Sequence, residues 1–222
     1  MPLLKLGILP KGAHDPRRSS RRAGVDLAAN DFAGQYSAME TDAYKQTLAA
    51  LHQKTGWGSS NTIPELALAT IKKYQPKSLL DFGAGKGRVT EALRTQFPDI
   101  KVHGYEPSQE GAELPDRIDM TFSKDVLEHV EPDLLEYTLY DLHQRTQKVH
   151  YHLIACHKAH HYLPDGRNAH LIVETPDWWQ RKLRGLGYVI REERVWGEIK
   201  QPRGKASLAV CKYECVLSGV ST

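Results

Sequence analysis

The stretch SLLDFGAGKG, residues 78–87, constrains the fold more than any other part of the chain. A short apolar run ends at Asp81, glycines follow at 83, 85 and 87, and a helical pattern, RVTEALRTQF, comes next. Glycines at every second position allow a sharp turn and a close backbone approach to a ligand. The helix that follows presents its unpaired N–H groups at the same place. The spacing is not that of the phosphate loop, which needs Gly-Lys-Ser/Thr after a longer gap, nor the GxGxxG pattern. Glu106 ends the next strand-like run, 19 residues after Gly87, where an acid suits a ribose diol. Strand, tight turn and helix together predict a ligand site at the carboxyl end of an open sheet.

The rest of the chain repeats this alternation. Strand patterns at 101–107, 118–123, 149–156, 188–196 and 207–217 interleave with helix patterns at 132–148 and from Thr175 to Gly187. In the last helix Thr175 is the expected cap and Pro176 the first residue. Leu135, Leu139 and Leu142 mark one buried helical face, and Tyr44, Leu48 and Leu51 mark another. Thr62 and Glu65 have the spacing of a capping box. Alternation of this kind predicts an α/β, doubly wound, Rossmann-like and mainly parallel sheet. A closing hairpin predicts that the terminal strand runs antiparallel. The expected organisation is an irregular basic arm over 1–40, a helical cover over 41–75 and a ligand-binding domain over 76–222.

Composition narrows the class. With 40 % hydrophobic and 26 % charged residues, the 222-residue chain reads as an ordinary globular protein. No apolar run approaches the roughly 18 residues of a membrane span. No small-residue cleavage site follows the apolar start, and the three cysteines show no CxxC spacing, so a cytoplasmic location is expected. The net charge of +3 is concentrated at the start. Residues 1–30 hold six basic side chains against two acidic ones, a stretch able to touch phosphate or another subunit.

Asp81-x-Gly83-x-Gly85-x-Gly87, then Glu106, then an acid opening the segment after a later strand, resembles the class I S-adenosylmethionine-dependent methyltransferases. The resemblance covers residues 60–217, about 70 % of the chain. It implies a seven-stranded sheet. Only eleven residues separate Glu106 from Ile118, too few for the usual helix and strand, so a six-stranded sheet is the alternative. By the resemblance, Asp81, Gly83, Gly85, Lys86 and Gly87 surround the cofactor's methionine and ribose. Glu106 holds the ribose hydroxyls, and Asp125 and Val126 sit where a later strand meets the cofactor. The span from Asp125 to Trp179 also resembles uncharacterised bacterial and phage methyltransferases.

Asp125-x-x-Glu128-His129 further resembles a motif of metal-assisted O-methyltransferases, in which a later histidine, here His170, completes the site. That resemblance implies Mg²⁺ on Asp125, Glu128, His129 and His170, with Glu128, His129 and His170 as catalytic groups. Acids in a first helical turn are also favoured by the helix dipole alone. Lys124, His157, Arg167, Asn168 and Trp178 are the expected acceptor-binding residues. No Asn/Asp-Pro-Pro-aromatic motif and no Pro-Cys dipeptide is present, which disfavours DNA base methylation. The expected activity is O-methylation of a small polar or saccharide-like acceptor. The alternatives are 2′-O-methylation of RNA gripped by the basic arm, and a non-catalytic S-adenosylmethionine-binding protein.

Overall fold

A computed structural model describes residues 41–52, 60–197 and 210–219. The basic arm and the loop of the closing hairpin lie outside the described residues. Among the described residues six strands form one sheet: β1 (Ser78–Phe82), β2 (Lys101–Tyr105), β3 (Ile118–Lys124), β4 (Thr146–Ala155), β5 (Val189–Trp196) and β6 (Lys212–Ser218). Their order is β2-β1-β3-β4-β6-β5. β1 pairs in parallel with β2 and β3, and β3 with β4. β6 runs antiparallel to both β4 and β5 and lies between them. The sheet is thus mainly parallel with an antiparallel terminal strand, and the six-stranded alternative holds. The residues between Glu106 and Ile118 carry turns and no strand.

Five helices are described: α1 (Asp42–His52), α2 (Glu65–Tyr74), α3 (Arg88–Gln96), α4 (Leu135–Arg145) and α5 (Pro176–Gly185). Alternating side chains send Leu79 to one face of the sheet and Leu80 and Phe82 to the other. Leu66 and Ile71 of α2 and Leu93 of α3 cover the first face. Leu135, Leu139 and Leu142 of α4, with Trp179 and Leu183 of α5, cover the second. Each such large apolar side chain contributes about 1.5–3 kcal/mol on full burial.

Within the 41–75 cover expected from the sequence, α2 packs Leu66, Ala67 and Ile71 into the sheet's own core. α1 alone covers the loop after β4, through Tyr44, Leu48 and Leu51 against Leu163 and Ala169. Two local expectations change. Pro64, with no side-chain cap bond, precedes α2, so the Thr62/Glu65 capping box does not form. β4 begins at Thr146, because three strand residues precede its buried part. The Thr175 cap is present, its side chain accepting from the Trp178 N–H.

Candidate functional site

The chain leaves β1 toward β2 on one side and returns to β3 on the other. Open α/β sheets bind ligands where the order reverses in this way. A cavity of 390 Å³ opens there, lined by the turn after β1, the end of β2, the turn after β3 and the loop after β4. It is of small-molecule size.

Gly83, at φ +77°, turns the chain out of β1. A Cβ at this position would come within 2.5 Å of both methyl groups of Val126, so only glycine fits. The Gly83 and Ala84 N–H groups donate to the Tyr105 carbonyl at 2.8 and 2.9 Å, tying the turn to β2. Glu106, buried at the end of β2, accepts from the Gly85 N–H at 2.9 Å through Oε2. Its Oε1 accepts from the Ser108 hydroxyl at 2.7 Å and the Ser108 N–H at 3.2 Å. One lone-pair position remains on Oε2. Burial raises the Asp81 carboxyl to about 6, against a 2.6 Å hydrogen bond from the Thr90 hydroxyl. Asp81, Gly83, Gly85, Glu106, Asp125 and Val126 all line the cavity. Lys86 and Gly87 are not among its lining residues, and Gly87 is the residue preceding α3.

These residues fit S-adenosylmethionine. Gly83 and Gly85 leave that wall of the cavity without side chains, and the Glu106 carboxylate stands beside them as an acceptor for hydroxyls. Glu106→Ala is expected to weaken binding of S-adenosylhomocysteine by at least about tenfold, the loss of charge-assisted hydrogen bonds. Titration calorimetry checks it, and an unchanged affinity removes the ribose role.

Asp125 follows β3 in a left-handed conformation, φ +54°. This uncommon backbone is held by its N–H donating to the Leu153 carbonyl at 2.8 Å. Burial alone would raise the Asp125 carboxyl, but the Lys212 and Lys124 ammonium groups outweigh it and hold it below its ordinary value. Lys212 Nζ stands 2.6 Å from Oδ1 and Lys124 Nζ 3.2 Å from Oδ2.

Glu128 lies in a single 3₁₀ turn after Val126 and is fully buried. Its Oε1 accepts from the Ala155 N–H at 3.0 Å, while Oε2 has no hydrogen-bond partner among the described residues. Burial first, and Asp125 second, push its carboxyl up to about 8, so it carries a proton at neutral pH. His129 and His170 stand edge to face with ring centroids 4.8 Å apart. His129 Nδ1 lies 2.7 Å from the Ala169 carbonyl, and His170 Nδ1 contacts the His157 carbonyl. A carbonyl only accepts, so each Nδ1 carries the hydrogen and each Nε2 keeps the basic lone pair. Burial lowers the His170 imidazole, favouring its neutral form.

Glu128, His129 and His170 each offer one ligand atom, all within 4.8 Å of one another. Asp125, tied to two lysines, is not part of that group. Two imidazole nitrogens and one carboxylate oxygen suit zinc or a transition ion. Mg²⁺ prefers an all-oxygen shell, so the donor set does not fit the Mg²⁺ expectation.

Of the expected acceptor-binding residues, Lys124 and His157 line the cavity. Arg167, Asn168 and Trp178 do not. Arg167 is paired with Asp165 at 2.7 Å. Asn168 braces its loop, accepting from the Ala159 N–H and donating to the Ala159 carbonyl, both at 2.9 Å. Trp178 lines a second groove on the far side of the loop, with Lys182 Nζ 5.3 Å from its ring centroid. Lys212 and Ser60 line the main cavity without any expectation from the sequence, and Leu48, expected only on a buried helical face, lines it as well. Lys212 has no local signal, because only strand pairing brings it beside Asp125.

No described helix is long and apolar enough to cross a membrane. Among solved structures the fold is similar to the Burkholderia thailandensis 1,6-didemethyltoxoflavin-N1-methyltransferase, solved with S-adenosylhomocysteine. That match has 16 % identity over 82 % of this chain and 92 % of that one, with a TM-score of 0.55. It is also similar to the phospholethanolamine N-methyltransferase 2 of Haemonchus contortus, with 12 % identity, 77 % and 57 % coverage and a TM-score of 0.52. None of the curated proteins matches the chain. Residues 60–198, well over half of the sequence, match a family model described as a methyltransferase domain. With that match and a cavity built as above, the chain belongs to the methyltransferase-domain family, and it is an enzyme of the class I fold.

Proposed function

We propose that the protein transfers the methyl group of S-adenosylmethionine to an oxygen of a small polar or saccharide-like acceptor. The observation that carries this reading is the pair His129 and His170, anchored through Nδ1 on backbone carbonyls at the wall of the cofactor cavity. A neutral hydroxyl is a weak nucleophile until its proton is accepted, and imidazole does this near neutral pH. The cofactor supplies an electrophilic methyl on a sulfonium. Gly83, Gly85 and Glu106 hold it, and Asp125 and Val126 mark the boundary with the acceptor half. The acceptor oxygen forms a bond to the methyl carbon as the carbon–sulfur bond breaks. The bonding pair neutralises the sulfur, and the hydroxyl proton passes to an imidazole Nε2. Alignment of the acceptor with the methyl supplies most of the acceleration.

A second reading is favoured by a Glu128 carboxylate oxygen within 4.8 Å of both imidazoles, in a carboxyl whose Oε2 has no hydrogen-bond partner among the described residues. In it, Glu128, His129 and His170 hold a zinc or transition ion, which would lower the pKa of the acceptor hydroxyl. One experiment addresses both readings. Radiolabelled methyl transfer is measured into fractionated small-molecule, saccharide, lipid and RNA pools, with and without EDTA. Label in an alkali-stable ether of the small-molecule or saccharide pool is expected. Label confined to RNA, or to amines, overturns the acceptor assignment. An EDTA-resistant rate removes the metal.

A further inference from the structure

The acceptor half of the cavity is unevenly charged. Lys124, the last residue of β3, and Lys212, the first of β6, both reach the single carboxylate of Asp125. Their side chains are only 14 % and 29 % exposed. Ammonium groups held largely out of water call for anionic partners, and here two of them share one. Lys124 completes its shell with a neutral group, the Ser60 hydroxyl at 2.9 Å.

Among the described residues no other carboxylate of the cavity forms an ion pair with either lysine. Asp81 lies under the glycine turn and is bonded to Thr90, and it feels the Lys124 charge without pairing with it. Glu106 is held by Gly85 and Ser108 at the ribose position. Both belong to the half that receives a cofactor with a net positive charge. Glu128 is buried beneath the histidines, its Oε1 accepting from the Ala155 N–H. His157 and His160 line the same wall as the lysines. His157 Nδ1 is 2.8 Å from the Cys211 carbonyl, the residue before Lys212, so imidazole and ammonium are held as one unit.

The geometry points to an oxyanion subsite formed by Lys212 and Lys124 on either side of Asp125, with His157 beside it. The methyl acceptor is therefore a small molecule that carries a carboxylate or phosphate group. This assignment rests on the methyl-transfer reading and narrows its acceptor class. Lys212 acts as a specificity-determining residue: its charge selects anionic acceptors and steers them into the cleft. The anion's negative charge also lies near the sulfonium and is not consumed in the transfer, since only the acceptor oxygen and the methyl change bonds.

The test uses the full chain saturated with S-adenosylhomocysteine. Inorganic phosphate and malonate are titrated separately at constant ionic strength, and the histidine ring resonances are followed by NMR. Saturable shifts with either anion are expected, and the stronger of the two identifies the group as phosphate or carboxylate. Lys212→Gln is expected to weaken anion binding about tenfold, the loss of one charge-assisted contact. Lys212→Arg is expected to retain it, and Lys124→Gln serves as the second variant if Lys212→Gln does not fold. Absence of saturable shifts with both anions, or unchanged binding in both glutamine variants, overturns the subsite. The same titrations on cofactor-free protein keep the two readings apart. If S-adenosylhomocysteine fails to bind the wild type, the methyl-transfer reading falls, while the anion titration still decides the subsite.

Discussion

His170→Ala is expected to lower the rate of methyl transfer by about 10²- to 10⁴-fold, the usual contribution of a positioned general base. Its affinity for S-adenosylhomocysteine is expected to stay close to that of the wild type. The expectation follows from the ring's anchoring. Nδ1 is committed to the His157 carbonyl, so the basic nitrogen is Nε2. Burial keeps the ring neutral and ready to accept a proton. His129 stands 4.8 Å away, centroid to centroid, and His129→Ala identifies which imidazole takes the proton. Single-turnover rates with radiolabelled cofactor separate the chemical step from binding. A merely structural role would lower the melting temperature and raise KM, with little change in the single-turnover rate at saturation. Full activity in both variants would falsify the base assignment and remove the metal reading with it.

The second large effect concerns acid stability. His150 and His152 point from β4 into the core and are fully buried. His152 Nδ1 is 2.7 Å from the Ser123 hydroxyl, and its Nε2 has no partner. Among the described residues neither ring nitrogen of His150 has one either. The ring packs between His143, His152 and Tyr188. Burial pushes His152 down to about 3 and His150 well below its ordinary value. In the folded state both stay neutral, whereas in the unfolded chain both take a proton below about pH 6.5. The stabilisation is therefore complete above about 6.5 and is lost as the pH falls from there toward 3. At pH 5, His152 alone costs about 2 kcal/mol relative to pH 7, and His150 adds a loss of the same sign. Urea unfolding at the two pH values measures the difference. His150→Leu removes a buried group without hydrogen bonds at similar volume, and its stability is expected to fall less on acidification. Equal stability of the wild type at pH 7 and pH 5 would show that these rings are not held neutral by the fold.

The part of the site that could be read along the chain is the part built from short-range geometry. Asp81, Gly83, Gly85 and Glu106 fall where expected because a strand, a left-handed glycine and a helix start are each specified within a few residues. The missing strand was readable for the same reason, since eleven residues cannot hold both a helix and a strand. Arg167, Asn168 and Trp178 fall elsewhere because each faces a choice between partners that local pattern does not resolve. Asn168 satisfies Ala159, and Arg167 satisfies Asp165. Trp178 turns outward because Trp179, next on the helix, takes the core position with no exposure.

Local propensity, glycine conformation and hydrophobic period therefore settled the sheet, its crossovers and the glycine-turn end of the cavity, because these depend on neighbours in the chain. The opposite end depends on distant ones. Lys212 meets Asp125 across 87 residues only because β6 inserts between β4 and β5. The His129–His170 pair exists because the loop after β4 folds back under α1 and offers carbonyls to both rings. Those juxtapositions follow from strand order and loop packing, where the energy of one long-range contact is weighed against every competing arrangement. No short stretch of sequence carries that comparison.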